Sequence, residues 1–364
     1  MDKIRLILLW PLGLLWGITT GLRRCVFSLL SLRKKAPVTN WVIGNINVGG
    51  VGKTPMVMAL ITLLQENEPN LKPQSIGILS RGYGRSSRGF RWVDQGSTAQ
   101  QVGDEPLEMF YNVSDGINIA VCENRVKGLN QMLIDVPSLN MVLLDDGFQH
   151  LSLEATGYIV LTHFHNSFTK DWPLPAGNLR EFPAAIKYAD AMIATHCDAD
   201  LSLEQAEDWR HSFLSDMGRK SIGNTSKSFN SQNIYFAHYK SSTPTHYLSG
   251  KFIEPGTLVI LVTGVAEPQR VAVALKSYQV IKHIVYSDHH EFDDSDIIQW
   301  RKERQQILTE KNQAVCIVTT RKDLVRIKPL LDYQGSELSL YTVYSEVQFL
   351  FGAEVNLKEL LMKQ

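Results

Sequence analysis

Residues 44–55 read GNINVGGVGKTP, and no other stretch limits the fold as strongly. Ahead of it Trp41, Val42, Ile43 and Ile46 form a short apolar run suited to a buried strand. Behind it, residues 56–64 are apolar at helical spacing and rich in good helix formers. Strand, glycine-rich turn, Lys-Thr and helix in this order make a phosphate-binding loop. Gly49, Gly50 and Gly52 let backbone N–H groups turn inward around phosphate oxygens, where a side chain would clash. Lys53 then meets the β- and γ-phosphates, Thr54 offers its hydroxyl to Mg²⁺, and the helix N-terminus favours the anion. The strict pattern G-x-x-x-x-G-K-[ST] asks for Gly at position 47, where this chain carries Asn47, a residue that tolerates left-handed backbone. The expectation is a nucleoside triphosphate held by Asn47, Val48, Gly49, Gly50, Val51, Gly52, Lys53 and Thr54.

At 364 residues the chain is long enough for two domains with cores of their own, and 44% of it is hydrophobic. Lys and Arg number 37 and Asp and Glu number 37, so no global field favours nucleic acid, and none is expected as a partner. Charge is uneven locally. Residues 1–35 carry Lys3, Arg5, Arg23, Arg24, Arg33, Lys34 and Lys35 against Asp2 alone. Cys25, Cys122, Cys197 and Cys316 are scattered without C-x-x-C spacing, as expected of reduced, mostly buried thiols in a cytosolic protein.

Residues 6–22 hold no charge and include Trp10, Trp16 and many leucines. A cleaved signal peptide would need a small-residue cleavage site, and Leu22-Arg23-Arg24 follows instead. A true span needs about twenty apolar residues, and this run is a little short and contains Pro11. A helix lying on or dipping into a bilayer fits best, with basic residues at anionic head groups and tryptophans at the interface. Gly13, Gly17 and Gly21 are spaced for tight helix packing, or for a smooth face against the protein's own body.

From residue 36 strands and helices alternate, which predicts a parallel sheet with helices on both faces. Residues 75–80 (SIGILS) form a second strand, followed by the basic, glycine-bearing loop Arg81-Gly82-Tyr83-Gly84-Arg85 where ligands bind in open α/β sheets. Gly103-Asp104-Glu105-Pro106 opens a helix with acids in its first turn, which plain capping explains equally well. Residues 118–122 are the next strand, and Arg125 follows at a helix start. Residues 141–144 are apolar and run into Asp145-Asp146-Gly147-Phe148-Gln149-His150. A hydrophobic strand ending in Asp after a phosphate-binding loop is the second element of a nucleotide site, its carboxylate on Mg²⁺ directly or through water. Asp145, Asp146 and Gln149 therefore join Thr54 as the metal set. After the strand at 158–162, the loop 173–182 presents Arg180-Glu181 as a phosphate or sugar contact. The strand at 189–195 ends in Thr195-His196-Cys197-Asp198, which lacks the Asn and Lys that read guanine.

Residues 215–232, rich in Ser, Asn, Lys and Gly, mark a boundary, placing a phosphate-loop domain at 36–225 and a smaller α/β domain at 226–364. The second alternation has strands near 234–238, 257–263, 283–286 and 314–319, with helices at 267–275 and 294–309. Its most polar constellation is Ser287-Asp288-His289-His290, which could bind metal or form an ordinary surface turn.

Taken together, GNINVGGVGKTP, LSRGYGR (79–85), VGDEP (102–106), LLDDGFQH (143–150), PAGNLRE (175–181), SDHHEF (287–292) and the Lys322-Asp323 pair fall in the order of one family. The chain resembles tetraacyldisaccharide 4′-kinase over nearly its whole length, the apolar N-terminal helix included. It departs at Asn47 and Val51, where the family usually has Thr, at Ala155-Thr156 in place of Arg-Asp, and at Arg321 in place of Glu. The resemblance implies an ATP-dependent lipid kinase of lipid A biosynthesis with Mg²⁺ as cofactor. It implies a fold of P-loop sheet domain, smaller C-terminal α/β domain closing over the site, and membrane-associated helix over 1–35. It implies phosphorylation of the 4′-hydroxyl of a tetraacylated glucosamine disaccharide 1-phosphate at the cytoplasmic face of the bacterial inner membrane, with no obligate protein partner. By the same resemblance Asp104 is the general base and His289 its partner across the domains, while Lys53 serves the transferred phosphate. Arg81, Arg125 and Arg180 become candidates for acceptor or transition-state phosphates. The rival class, a P-loop regulatory or chaperone NTPase acting on a protein, predicts hydrolysis without lipid and a dispensable N-terminus.

Overall fold

The apolar run ahead of the phosphate-binding loop is a strand, Thr39–Asn45, buried over all but its first residue. It lies at the middle of the larger of two main sheets in this computed structural model, which describes residues 3–67, 72–220, 231–334 and 338–363. Along the chain the elements are α1 (Lys3–Leu29), β1 (Lys34–Lys35), β2 (Thr39–Asn45), α2 (Lys53–Asn67), β3 (Ile76–Ser80), β4 (Arg91–Trp92), α3 (Ala99–Val102), α4 (Asp104–Asn112), β5 (Asn118–Val121), α5 (Arg125–Asp135), β6 (Met141–Asp145), β7 (Leu153–Glu154), β8 (Gly157–His163), β9 (Ala191–Cys197) and α6 (Leu203–Lys220). Beyond them come β10 (Ile234–Ser241), β11 (Thr245–His246), β12 (Leu258–Thr263), α7 (Pro268–Ala274), β13 (Gln279–Val285), α8 (Asp294–Lys311), β14 (Val315–Thr320), α9 (Arg321–Gln334), β15 (Leu340–Val343), β16 (Ser345–Phe349) and α10 (Ala353–Met362).

The larger sheet runs β16-β10-β9-β8-β2-β6-β3-β5-β4 and is parallel except where β4 and β16 join its edges. Its strands are near-continuous apolar runs because both faces are covered. Side chains alternate between two cores. Trp41, Ile43, Ile78 and Leu143 meet α2 on one face, while Val42, Leu79 and Leu144 meet the α5 and α6 side on the other. The smaller sheet, β11-β15-β14-β12-β13, has a core of its own around Trp300 and Ile317.

The division at 225/226 falls within residues 221–230, outside the described residues. Past residue 230 the topology departs from a simple split into two consecutive domains. β10 pairs with β9, β16 returns to pair with β10, and α10 packs on α2, so the chain crosses to the smaller sheet and comes back. Local alternation shows that residues 234–241 are a strand, but Ile234, Phe236 and Ala237 are buried by an edge contributed from elsewhere in the chain. Which sheet a strand joins is not a local property.

α1 is one helix with Pro11 inside it. It is the one candidate among the described residues that is long and apolar enough to cross a membrane. Ile7, Leu8, Leu15 and Leu22 are exposed. Its small-residue face is turned to the protein. A Cβ on Gly13 would meet Ala176 Cβ at 2.7 Å and one on Gly17 the Phe182 ring at 2.3 Å, whereas nothing lies within 4 Å of a Cβ on Gly21. Two of the three glycines therefore seat the helix on the loop before β9. Cys122, Cys197 and Cys316 are buried free thiols, and Cys25 is exposed.

Candidate active site

The turn after β2 is shaped by its glycines and by what packs on it. Gly49 and Gly52 have φ of +114° and +79°, a region that favours glycine. A Cβ on Gly52 would strike the Tyr239 ring at 2.3 Å, and the Tyr239 hydroxyl donates to Gly52 O at 2.8 Å. Asn47 does not use left-handed backbone, contrary to the sequence expectation; it forms an antiparallel bridge with Leu179, and Asn45 Nδ2 donates to its carbonyl at 2.8 Å. Val48 N–H is spent on Asn178 O at 2.6 Å and Val51 N–H on Gly49 O at 3.2 Å. Those two residues shape the loop through bonds inside the protein, which leaves the glycines and the first turn of α2 to face a phosphate. Lys53 Nζ donates to Asn45 Oδ1 at 3.3 Å and stands 3.7 Å from Asp146 Oδ2.

β6, the direct neighbour of β2, delivers the two acids. Asp145 is buried, and its Oδ2 accepts from Ser80 Oγ at 3.1 Å. Burial, then the charges of Glu105 and Asp146, hold its carboxyl above the usual carboxylate range against the pull of Lys53. Asp146 sits at φ +48° and accepts both prongs of Arg180, at 2.7 and 3.2 Å. Burial opposes its ionisation, but Lys53 and Arg180 outweigh it and keep that carboxyl below the usual range. Asp145 Oδ1 is buried with no hydrogen-bond partner. That unpartnered carboxyl oxygen, with the buried Thr54 in the first turn of α2, fits a hard cation that takes oxygen ligands and would favour the ionised form. Among the described residues no three His, Cys, Asp or Glu side chains could hold a metal by themselves.

Two expected contacts have other partners. Gln149 donates to Asn45 O and to Glu181 Oε1, both at 2.9 Å, and accepts from Arg180 Nη1 at 3.1 Å. It is a link in a hydrogen-bonded chain, with its amide oxygen already accepting from Arg180. Arg125 is buried, and its Nη1 and Nη2 donate to Cys122 O at 2.8 Å and to Asp145 O at 3.2 Å. Burial lowers it to about 10 even with Asp145 and Asp146 beside it. It was a candidate for a phosphate, and in the structure it clamps the turn that carries the acids. Arg81 is exposed at the start of its loop, and its charge reaches Arg125 and His150. His150 accepts from Arg125 N–H at 3.3 Å and is held neutral near pH 7 by burial and then by Arg125, which lower it to about 4.

Asp104 begins α4 behind Gly103, whose φ of +94° lets the chain pass close to Gly82 and Tyr83. His289, at φ +60° in the turn after β13, reaches across from the smaller sheet, and its Nδ1 lies 2.8 Å from Asp104 Oδ2. Arg326 of α9 is a second cross-sheet neighbour that sequence did not single out, with Nε 3.6 Å from the same oxygen. Its Nη1 and Nη2 are held by His290 O and Gly264 O, and Nη2 also by Asp323. The signal for it was its place one turn beyond Lys322-Asp323 on a helix. A cavity of about 300 Å³ opens beside the pair, lined by Tyr83, Gly103, Phe292 and Arg326 among others. Gly103, next to Asp104, packs on Gly82, and Ser80 two residues before Gly82 donates to Asp145, so pair and acids lie at the same end of the sheet.

A phosphate-binding loop at the end of a central parallel strand, with carboxylates ending the adjacent strand, defines the nucleotide site of a P-loop protein. The family model for tetraacyldisaccharide-1-P 4′-kinase (LpxK) matches residues 5–364. The chain belongs to the tetraacyldisaccharide 4′-kinase family. It is 34% identical to the tetraacyldisaccharide 4′-kinase of Cytophaga hutchinsonii, over 89% of this chain and 86% of that one. With the enzyme of the same name from Bacteroides thetaiotaomicron the identity is 35%, over 88% of this chain and 82% of the other. A crystal structure of LpxK from Aquifex aeolicus in complex with ATP superposes with a TM-score of 0.71, at 25% identity, covering 99% of this chain and 98% of that one.

Proposed function

We infer that the protein transfers the γ-phosphoryl group of ATP to the 4′-hydroxyl of a tetraacylated glucosamine disaccharide 1-phosphate. The observation that carries the reading is the 2.8 Å Asp104–His289 contact, made where Gly103 packs on the turn after β3 whose Ser80 binds Asp145, because a kinase needs a base for the acceptor alcohol and an NTPase does not need one from a second sheet. Gly49, Gly50, Gly52 and Lys53 bind and orient the phosphates. Thr54, with Asp145 and Asp146, would hold a Mg²⁺, which supplies charge neutralisation when bound. Asp104 takes the acceptor proton, and His289 shares it through the 2.8 Å contact. The acceptor oxygen bonds to phosphorus as the bond to the bridging oxygen breaks and ADP leaves. Closing the smaller sheet over the loop excludes water and suppresses hydrolysis.

The exposed apolar side of α1 and its basic flanks suit an anionic bilayer, consistent with work at the cytoplasmic face of the inner membrane on a lipid-borne acceptor. The deciding experiment incubates purified protein with ATP, Mg²⁺ and the 1-phosphorylated lipid, then locates the new phosphate by mass spectrometry and phosphorus NMR. A monophosphate at the 4′ position is expected. ATP hydrolysis that ignores the lipid would sink the proposal and favour the NTPase reading.

A further inference from the structure

Of the described basic side chains in residues 3–35 whose exposure is known, only Arg24 is buried. An anchoring helix needs its cations at head groups, and a buried one contributes nothing to anchoring. Arg24 instead points into the protein. Its Nε and Nη2 fork onto Glu181 at 2.5 and 2.7 Å, Nη2 also donates to Phe148 O at 2.8 Å, and the guanidinium lies over the Phe148 ring at 4.5 Å. Both partners of this ion pair are nearly fully buried, where a two-pronged Arg–carboxylate contact is strong and directional.

The contact does not end at Glu181. Oε1 of that residue also accepts from Gln149 Nε2 at 2.9 Å, and Gln149 Oε1 accepts from Arg180 Nη1 at 3.1 Å. Arg180 in turn forks onto Asp146, which faces Lys53. A backbone route runs beside it. Trp16 Nε1 of α1 donates to Arg180 O at 2.9 Å, and Arg180 N donates to Ile46 O at 2.8 Å, directly before the phosphate-binding loop. The loop 173–181 is thus held between α1 and the nucleotide site, bonded to both.

We propose that Arg24 is a positioning residue of the nucleotide–metal site, and that α1 forms part of the support of that site as well as the membrane anchor. The inference rests on reading Thr54, Asp145 and Asp146 as the place where metal and phosphate meet. Through Glu181, Gln149 and Arg180, Arg24 sets the direction in which Asp146 and its turn face that place. Outer groups that orient an inner ligand typically change metal affinity by about 10–100-fold when removed.

The test uses the full chain in detergent micelles, with Mn²⁺ and a non-hydrolysable ATP analogue as probes. Mn²⁺ affinity in the nucleotide complex is read by electron paramagnetic resonance, and metal-free nucleotide affinity by calorimetry. Removing Arg24 alone strands Glu181 as a buried unpaired charge, so the informative variant is R24M/E181Q, which removes both charges together. Its thermal midpoint should stay close to wild type and its metal-free nucleotide affinity should hold, while Mn²⁺ binding weakens about tenfold. Wild-type Mn²⁺ affinity in R24M/E181Q overturns the inference and leaves the kinase reading standing. Failure of the wild-type protein to bind the analogue at all overturns the kinase reading, and this inference with it.

Discussion

His289 Nδ1 stands 2.8 Å from Asp104 Oδ2, joining residues 185 positions apart and two different sheets. Neither residue has a local reason to be near the other. If they act as one unit, Asp104→Asn and His289→Ala should each lower kcat by about 10²–10⁴-fold. The double variant should be little slower than the slower single one. KM for ATP should hardly change. Rates for all four proteins decide it, since fully multiplicative losses would mean independent roles.

Among the described residues Lys53 bonds to Asn45 and pairs with Asp146, and Asp146 keeps both prongs of Arg180 without it. Lys53→Ala should therefore leave the thermal midpoint nearly unchanged and reduce turnover by at least about 10²-fold. Near-normal turnover would show that the loop does not hold the transferred phosphate.

The helix glycines separate by position. Gly17→Ala forces a Cβ into the Phe182 ring and should loosen α1, whereas Gly21→Ala meets open space. Gly21→Ala should be neutral or stabilise the helix by up to about 1 kcal/mol. Trypsin cleavage at Arg23 and Arg24, followed by mass spectrometry, should quicken in the Gly17 variant and not in the Gly21 variant. Equal rates would mean that the helix is not seated as described.

Glu108 lies on α4 facing α9, and burial, then Glu105, raises it to about 7 despite the pull of Lys322 and Arg321. In the unfolded chain it ionises near 4.5, so stability is lost as pH climbs from there to about 7, and the penalty is constant above. Glu108→Gln removes that penalty. It should stabilise the protein by on the order of 3 kcal/mol near pH 8 and by little near pH 4. Chemical denaturation at the two pH values checks the sign, and a destabilised variant near pH 8 would contradict it.

Most elements were legible because their signals are local. The buried strands β2, β3, β6, β8 and β9 are short apolar runs with turn residues at their ends, and α8 opens on a capping box from Asp293. β15 and β16 escaped because residues 340–349 run together with no Gly or Pro between the strands, and α10 because only Gly352 marks its start. The candidate site divided the same way. Asp145 and Lys53 stood in contiguous motifs, whereas Arg326, Tyr239 and Arg24 enter the site from helices and strands whose own sequence names no ligand.

By itself, the sequence settled the phosphate-binding loop, the acids that end β6 and the α/β character, because glycine geometry, charge and hydrophobic period act over a few neighbouring residues. It also carried the ordered motifs that mark the kinase family. Tertiary structure alone decided that β10 and β16 join the larger sheet, and that Gly13 and Gly17 face the protein's own loop. It also turned Arg125 and Gln149 inward as braces, where sequence had offered them to a ligand. The physical reason is common to these cases. A polar side chain's role depends on which partners reach it once water is excluded, and an apolar face's role on which surface covers it. Both are set by contacts between residues far apart in the chain.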